Sequence, residues 1–172
     1  MSKKLFSAFL FVVFSSVLAY AGVTNIKEVI NNSSKVVKLT TYEAKHGFEG
    51  AAKKTTGVIT YGNVWNGDLW IPWADNEEQY KGHFMIIEIT ELRPARRTDI
   101  HHTYLVYQSG DYVRASFYGI VEARGLGSLT SGSFDPDARR VSGESKSGGE
   151  RRVVFFDKKD GNVGFKVEKY ER

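Results

Sequence analysis

The chain has 172 residues and not one cysteine. That excludes disulfides, thiolate catalysis and cysteine-ligated zinc together. A protein exported without disulfides must be held by its core alone, and the absence also favours a bacterial envelope over a disulfide-rich extracellular setting. Catalytic signatures are missing as well. No G-x-S-x-G, H-E-x-x-H or S-x-x-K motif occurs, and no serine sits in a nucleophile context. The four histidines, His46, His83, His101 and His102, are few and badly spaced for chelation. His101 and His102 are adjacent, so on a strand they face opposite ways and cannot bind one metal together. No metal and no cofactor is expected.

One long apolar run exists, and it stands at the start. Lys3 and Lys4 precede an uncharged stretch from Leu5 to Leu18, and Ala19-Tyr20-Ala21 follows. This is the pattern of a secretory signal peptide cleaved after Ala21. At 14 residues the run is shorter than the roughly 20 needed to span a bilayer. Cleavage would leave residues 22–172 as a single secreted or periplasmic domain, with no transmembrane segment. Without Lys3 and Lys4, 22 basic residues stand against 20 acidic ones. So slight an excess gives no reason to expect nucleic acid as a partner.

What remains is dominated by alternation of period two. Val113, Ala115 and Phe117 alternate with Tyr112, Arg114, Ser116 and Tyr118, and Val163, Phe165 and Val167 with Gly164, Lys166 and Glu168. Val37 and Leu39 do the same with Lys38 and Thr40. Each pattern predicts a strand with one buried and one wet face. His83–Ile89 and Thr103–Tyr107 are apolar on both faces and read as central strands; Arg151–Phe156 and Gly57–Tyr61 add two more. Ser109-Gly110-Asp111 and Asp160-Gly161-Asn162 fall where hairpin turns belong, so the last 22 residues read as one hairpin. A weak helical pattern around Asn25–Asn32 ranks below strand or coil. The expected fold is all-β: an antiparallel β-sandwich or closed β-barrel of 8 to 10 strands. A β-trefoil is the alternative, although no threefold repeat is visible.

One segment breaks the rhythm. Between Gly125 and Gly149, 12 of 25 residues are Gly or Ser, with a short strand expected near Arg139–Val141. A loop of this length is functional or disordered.

All three tryptophans fall within nine residues, Trp65 to Trp73. If Leu69–Trp73 is extended, Leu69, Ile71 and Trp73 point to the core. Trp70 then lies on an outer face and Trp65 on the adjoining loop. Pro72 cannot donate to a ladder, which marks an edge or the end of a strand. An exposed indole offers a flat face on which a sugar ring stacks. Tyr112, Arg114 and Tyr118 share one strand face and form a second candidate strip, or a wet face covered by long amphipathic side chains. Trp65, Trp70, Tyr112, Arg114 and Tyr118 are therefore the candidate ligand-binding residues. Arg93–Arg97, Arg139–Arg140 and Arg151–Arg152 are basic clusters suited to anions only if their loops converge.

These features predict an exported binding module, not a catalyst, that recognises a glycan or a surface partner through aromatic side chains. The alternatives are an envelope protein-interaction or inhibitor domain acting through residues 125–149, and a membrane-active or pore-forming β protein. An enzyme would need carboxylates such as Asp68, Glu88 and Glu91 to meet in one cleft.

Overall fold

The computed structural model describes residues 22–43, 51–93, 95, 98–123 and 134–171. The expected signal peptide, His46, Arg96, Arg97 and the first part of the Gly/Ser-rich segment lie outside the described residues. The chain runs through β1 (Thr24–Asn32), β2 (Val36–Glu43), β3 (Ala51–Thr55), β4 (Val64–Trp70), α1 (Glu77–Gly82), β5 (His83–Glu91), β6 (Asp99–Ser109), β7 (Tyr112–Ala123), β8 (Arg139–Arg140), β9 (Ser142–Gly143), β10 (Gly149–Asp157) and β11 (Val163–Lys169).

The strands form two open sheets. One has the order β4-β1-β10-β11-β9 and the other β3-β2-β5-β6-β7-β8. The fold is a β-sandwich. Among the described residues no barrel closes, which sets aside the closed barrel and, with it, the trefoil, whose core is a barrel. The pairing is also not purely antiparallel. β1 runs parallel to β10 in the middle of its sheet, and β9 parallel to β11 at the edge.

Alternation explains what packs where. Ile26 and Val29 of β1, Leu39 of β2, Ile87 of β5 and Phe155 of β10 meet between the sheets in the main core. The six-stranded sheet has a second apolar layer on its outer face. There Tyr42, Phe84, Ile86, Leu105 and Tyr107 are covered by Tyr80 of α1, by Ala74 and Ala138, and by Phe134. Tyr80 stacks on Phe84 at 5.7 Å and meets Tyr107 edge-on at 5.6 Å. This is why β5 is apolar on both faces: each face has its own core. The helix over it is announced by Asn76, whose side chain accepts from the Gln79 N–H, while Gln79 Oε1 accepts from the Asp75 N–H. Such reciprocal capping starts a helix even where the apolar period is too short to read.

Three local expectations change. Residues 57–61 make an isolated bridge from Ile59 to Val37, not a strand. Residues 25–32 are β1, with no helical turn. Phe117, read as core, is 52% exposed. It sits on the core-facing side, opposite Tyr104, but at the open margin of the sandwich. The register then slips so that Thr103 pairs with Gly119 and Tyr118 becomes the extra residue of a bulge.

Candidate functional site, an aromatic cleft at the sheet margin

At the margin where β4 ends one sheet and β3 ends the other, a cleft of about 570 Å³ opens. That lies within the range of small-molecule sites. One wall is Val23 with the run Trp70 to Trp73; the other is Thr41, Tyr42, Lys54 and His83; Gln108 closes the base. Trp70 is 51% exposed and Trp73 36%.

The parity of β4 sets the first indole. Leu69 is fully buried, so its neighbour Trp70 faces out. Trp73 departs from its expected core position because the strand ends at Trp70 and the chain turns across the sandwich. Its backbone bridges to Gln108 of β6 in the other sheet. There the Gln108 N–H donates to Pro72 O at 2.7 Å and the Ala74 N–H donates to Gln108 O at 2.9 Å. The Trp73 ring is then fixed by its own donor, Nε1–H to Asp75 Oδ2 at 2.7 Å. The other Asp75 oxygen accepts from Ser109 Oγ and the Gly110 N–H at the β6–β7 turn. Burial acts to raise the Asp75 carboxyl, but the hydrogen bonds from Ser109, Trp73 and Gly110 together outweigh it and hold it below its ordinary range.

Gln108 also holds the Val23 part of the same wall. Its side chain is 1% exposed. Oε1 accepts from the Thr24 N–H at 3.0 Å and Thr24 Oγ at 2.6 Å, and Nε2–H donates to Gly22 O at 3.1 Å. One residue thus ties the segment carrying Val23 and the segment carrying Trp73 to the same strand. The tryptophan wall is held by fixed backbone at both the Val23 and the Trp73 segments.

The other predicted residues lie elsewhere. Trp65 is in β4, not on a loop, and is half-buried against the main core. Its indole lies flat across Gly67, where an added Cβ would come within 2.5 Å of the ring. Tyr112, Arg114 and Tyr118 are on β7 and line no part of this cleft. Tyr112 lies under the Arg140 guanidinium at 3.9 Å, and Arg114 Nη1–H donates to Ala138 O at 2.9 Å. Tyr118 is exposed. Of the five candidates only Trp70 meets the cleft; Trp73, Tyr42 and Gln108 are its partners that sequence reading missed. Pro72 was the available signal, since a strand ending there lets the next residues turn away from the parity rule.

The carboxylates do not converge. Lys27 and Asn25 hold the Asp68 carboxyl below its ordinary range, and Lys35, against some burial, does the same for Glu91. Glu88, buried on the outer face, pairs with Lys38 at 3.1 Å. Each has its own lysine, and none lines the aromatic cleft. A general acid needs the opposite shift. Among the described residues no group of three His, Cys, Asp or Glu side chains is placed to hold a metal ion, and no helix is long and apolar enough to cross a membrane. Arg151 and Arg152 are spent on Lys146 O and Glu28.

Compared with known proteins, the chain matches no family model, no curated protein and no solved structure.

Proposed function

We propose that this is an exported binding module, without catalytic activity of its own, that takes a saccharide in the cleft against the wall carrying Trp70 and Trp73. The observation that carries the reading is the pair of exposed indoles on one wall of a preformed apolar cleft. Large exposed aromatics on a rigid frame are the usual means of stacking a flat, partly apolar ring. Thr41, Lys54 and His83 on the facing wall supply the few polar groups that fix orientation. Rigidity of the tryptophan wall matters because ordering a loop on binding would cost affinity.

The test is a titration of the protein with a panel of soluble polysaccharides, followed by tryptophan emission. The expected result is a spectral shift with at least one glycan that is lost in Trp70→Ala and in Trp73→Ala, with folding retained. No shift with any glycan, or an undiminished shift in Trp70→Ala, overturns it.

A second reading, an envelope protein-interaction domain acting through residues 125–149, has one supporting observation. The described half of that segment is seated on β7: the Val113 N–H donates to Ser145 O and the Val141 N–H to Val113 O. It is an ordered platform. Deleting residues 126–132 and finding capture of envelope proteins unchanged counts against it.

A further inference from the structure

A second cleft, about 680 Å³, lies at the other margin of the sandwich, between β7–β8 and β9–β11. Its inner wall is aromatic. The Tyr104 ring is 5.2 Å from Phe117 and meets Phe165 edge-on at 5.3 Å. Phe117 leaves half its surface in solvent although it faces the core side. Its flat ring is therefore open to a ligand entering between the sheets.

The mouth carries Arg139, Arg140 and Lys158. Arg140 is already engaged by the Tyr112 ring and by Ser145 Oγ. Arg139 is exposed and has no side-chain partner among the described residues. Lys158 is laid over β11 by a missing side chain: a Cβ on Gly164 would sit 2.8 Å from Lys158 Cε and 2.9 Å from the Phe156 ring. Glycine at 164 lets the lysine arm cross the strand along the cleft. The acids nearby are held by neutral donors and keep their charge. Asp135 accepts from Ser116 Oγ and the Asp137 N–H, and Asp160 from the Asn162 N–H. Asp135 and Asp137 both line the cleft and oppose its three cations, Arg139, Arg140 and Lys158, which outnumber them.

We propose that this cleft binds an anionic group carried on a flat ring, the ring against Phe117 and Tyr104 and the anion between Arg139 and Lys158. Ring stacking gives modest affinity and the charge-assisted hydrogen bonds give selectivity. Acidic sugars and aromatic acids share this chemistry. The site is separate from the tryptophan cleft and does not depend on it.

The test uses the purified full chain with three probes: 1-anilinonaphthalene-8-sulfonate as an aryl anion, oligogalacturonate as an acidic sugar, and N-phenyl-1-naphthylamine as the neutral aryl control. At least one anionic probe should bind one site per chain, with the neutral control about tenfold weaker or worse, since it lacks the charge-assisted hydrogen bonds. Which anionic probe binds distinguishes the two sources. Arg139→Ala with Lys158→Ala should weaken binding by at least about tenfold, Gly164→Ala should weaken it without removing a charge, and Trp70→Ala should leave it unchanged. Wild-type affinity should fall with added salt, a readout independent of any variant's folding. Failure of both anionic probes to bind, equal affinity for the neutral probe, salt-independent binding, or binding lost with Trp70→Ala instead of the cationic variants overturns the proposal.

Discussion

Replacing Gln108 with alanine removes a buried amide whose three hydrogen bonds all reach Gly22 and Thr24. At about 1 kcal/mol each they account for roughly 3 kcal/mol. The buried Thr24 N–H is left without its acceptor, which adds about 1–3 kcal/mol. Freeing an ordered glutamine side chain from the reference state returns about 1.5 kcal/mol. The net loss expected for Gln108→Ala is roughly 2.5–4.5 kcal/mol, a large part of a total stability of about 5–15 kcal/mol. The Gln108 backbone contacts to Pro72 and Ala74 survive the substitution, so the Trp73 wall stays while the Val23 lip loosens. Urea unfolding measures the first effect and tryptophan-monitored ligand affinity the second. Gln108→Glu separates polarity from shape. Its second oxygen would face Gly22 O, so the neutral acid is favoured in the fold and the folded pKa lies above the unfolded value of about 4.3. The native state then holds the extra proton, and stability relative to the parent falls as pH rises through that window and recovers on acidification. A Gln108→Ala midpoint within about 0.5 kcal/mol of the parent, or a pH-independent Gln108→Glu, would refute the reasoning.

Other outcomes follow from single contacts. Gly67→Ala places a Cβ within 2.5 Å of the Trp65 ring, so the indole must swing outward; the expected signs are red-shifted emission and a loss of about 1–3 kcal/mol by chemical denaturation. Asp75→Ala releases the Trp73 ring and the β6–β7 turn together, and should weaken ligand binding in the tryptophan cleft more than it lowers the unfolding midpoint; equal affinity would count against ring fixation. Burial, with Asp135 nearby and despite Arg114, pushes Tyr107 up to about 12. The unfolded phenol ionises near 10, so stability from this group is complete below pH 10 and is lost as pH rises toward 12. Burial also raises the Tyr80 and Tyr104 phenols, so spectrophotometric titration should show a late-ionising set that includes Tyr107 and joins the other tyrosines only on unfolding.

Much of the fold was legible because burial imposes a period on strands. The alternation at Val37–Leu39 and Val163–Val167, the two-faced apolarity of β5 and β6, and the final hairpin all follow from which faces must be dry. Trp70 was readable for the same reason. Period does not name a partner. Nothing in residues 24–32 says that their neighbour is 149–157, or that it runs parallel. The parity rule also fails where the chain stops being a strand, which is why Trp73 and Phe117 were misplaced: one follows a turn at Pro72, the other precedes the bulge at Tyr118. The short helix had its signal in Asn76 and Gln79, but six residues carry no period of their own. The two clefts were not legible at all, since each is assembled from several elements that only the topology brings together.

The parallel pairing of β1 with β10 sets the order in which the molecule can be made. β1 is an interior strand of its sheet, yet its neighbour on one side is more than a hundred residues away in the chain. Until Gly149–Asp157 is available, β1 has only β4 to pair with, and a two-stranded ribbon is marginal in water. Closing so long a loop before any reward makes such folds slow, on the scale of milliseconds to seconds. A nascent chain can pair β2, β5, β6 and β7 early, but must leave its five-stranded sheet unmade until Gly149–Asp157 has been synthesised.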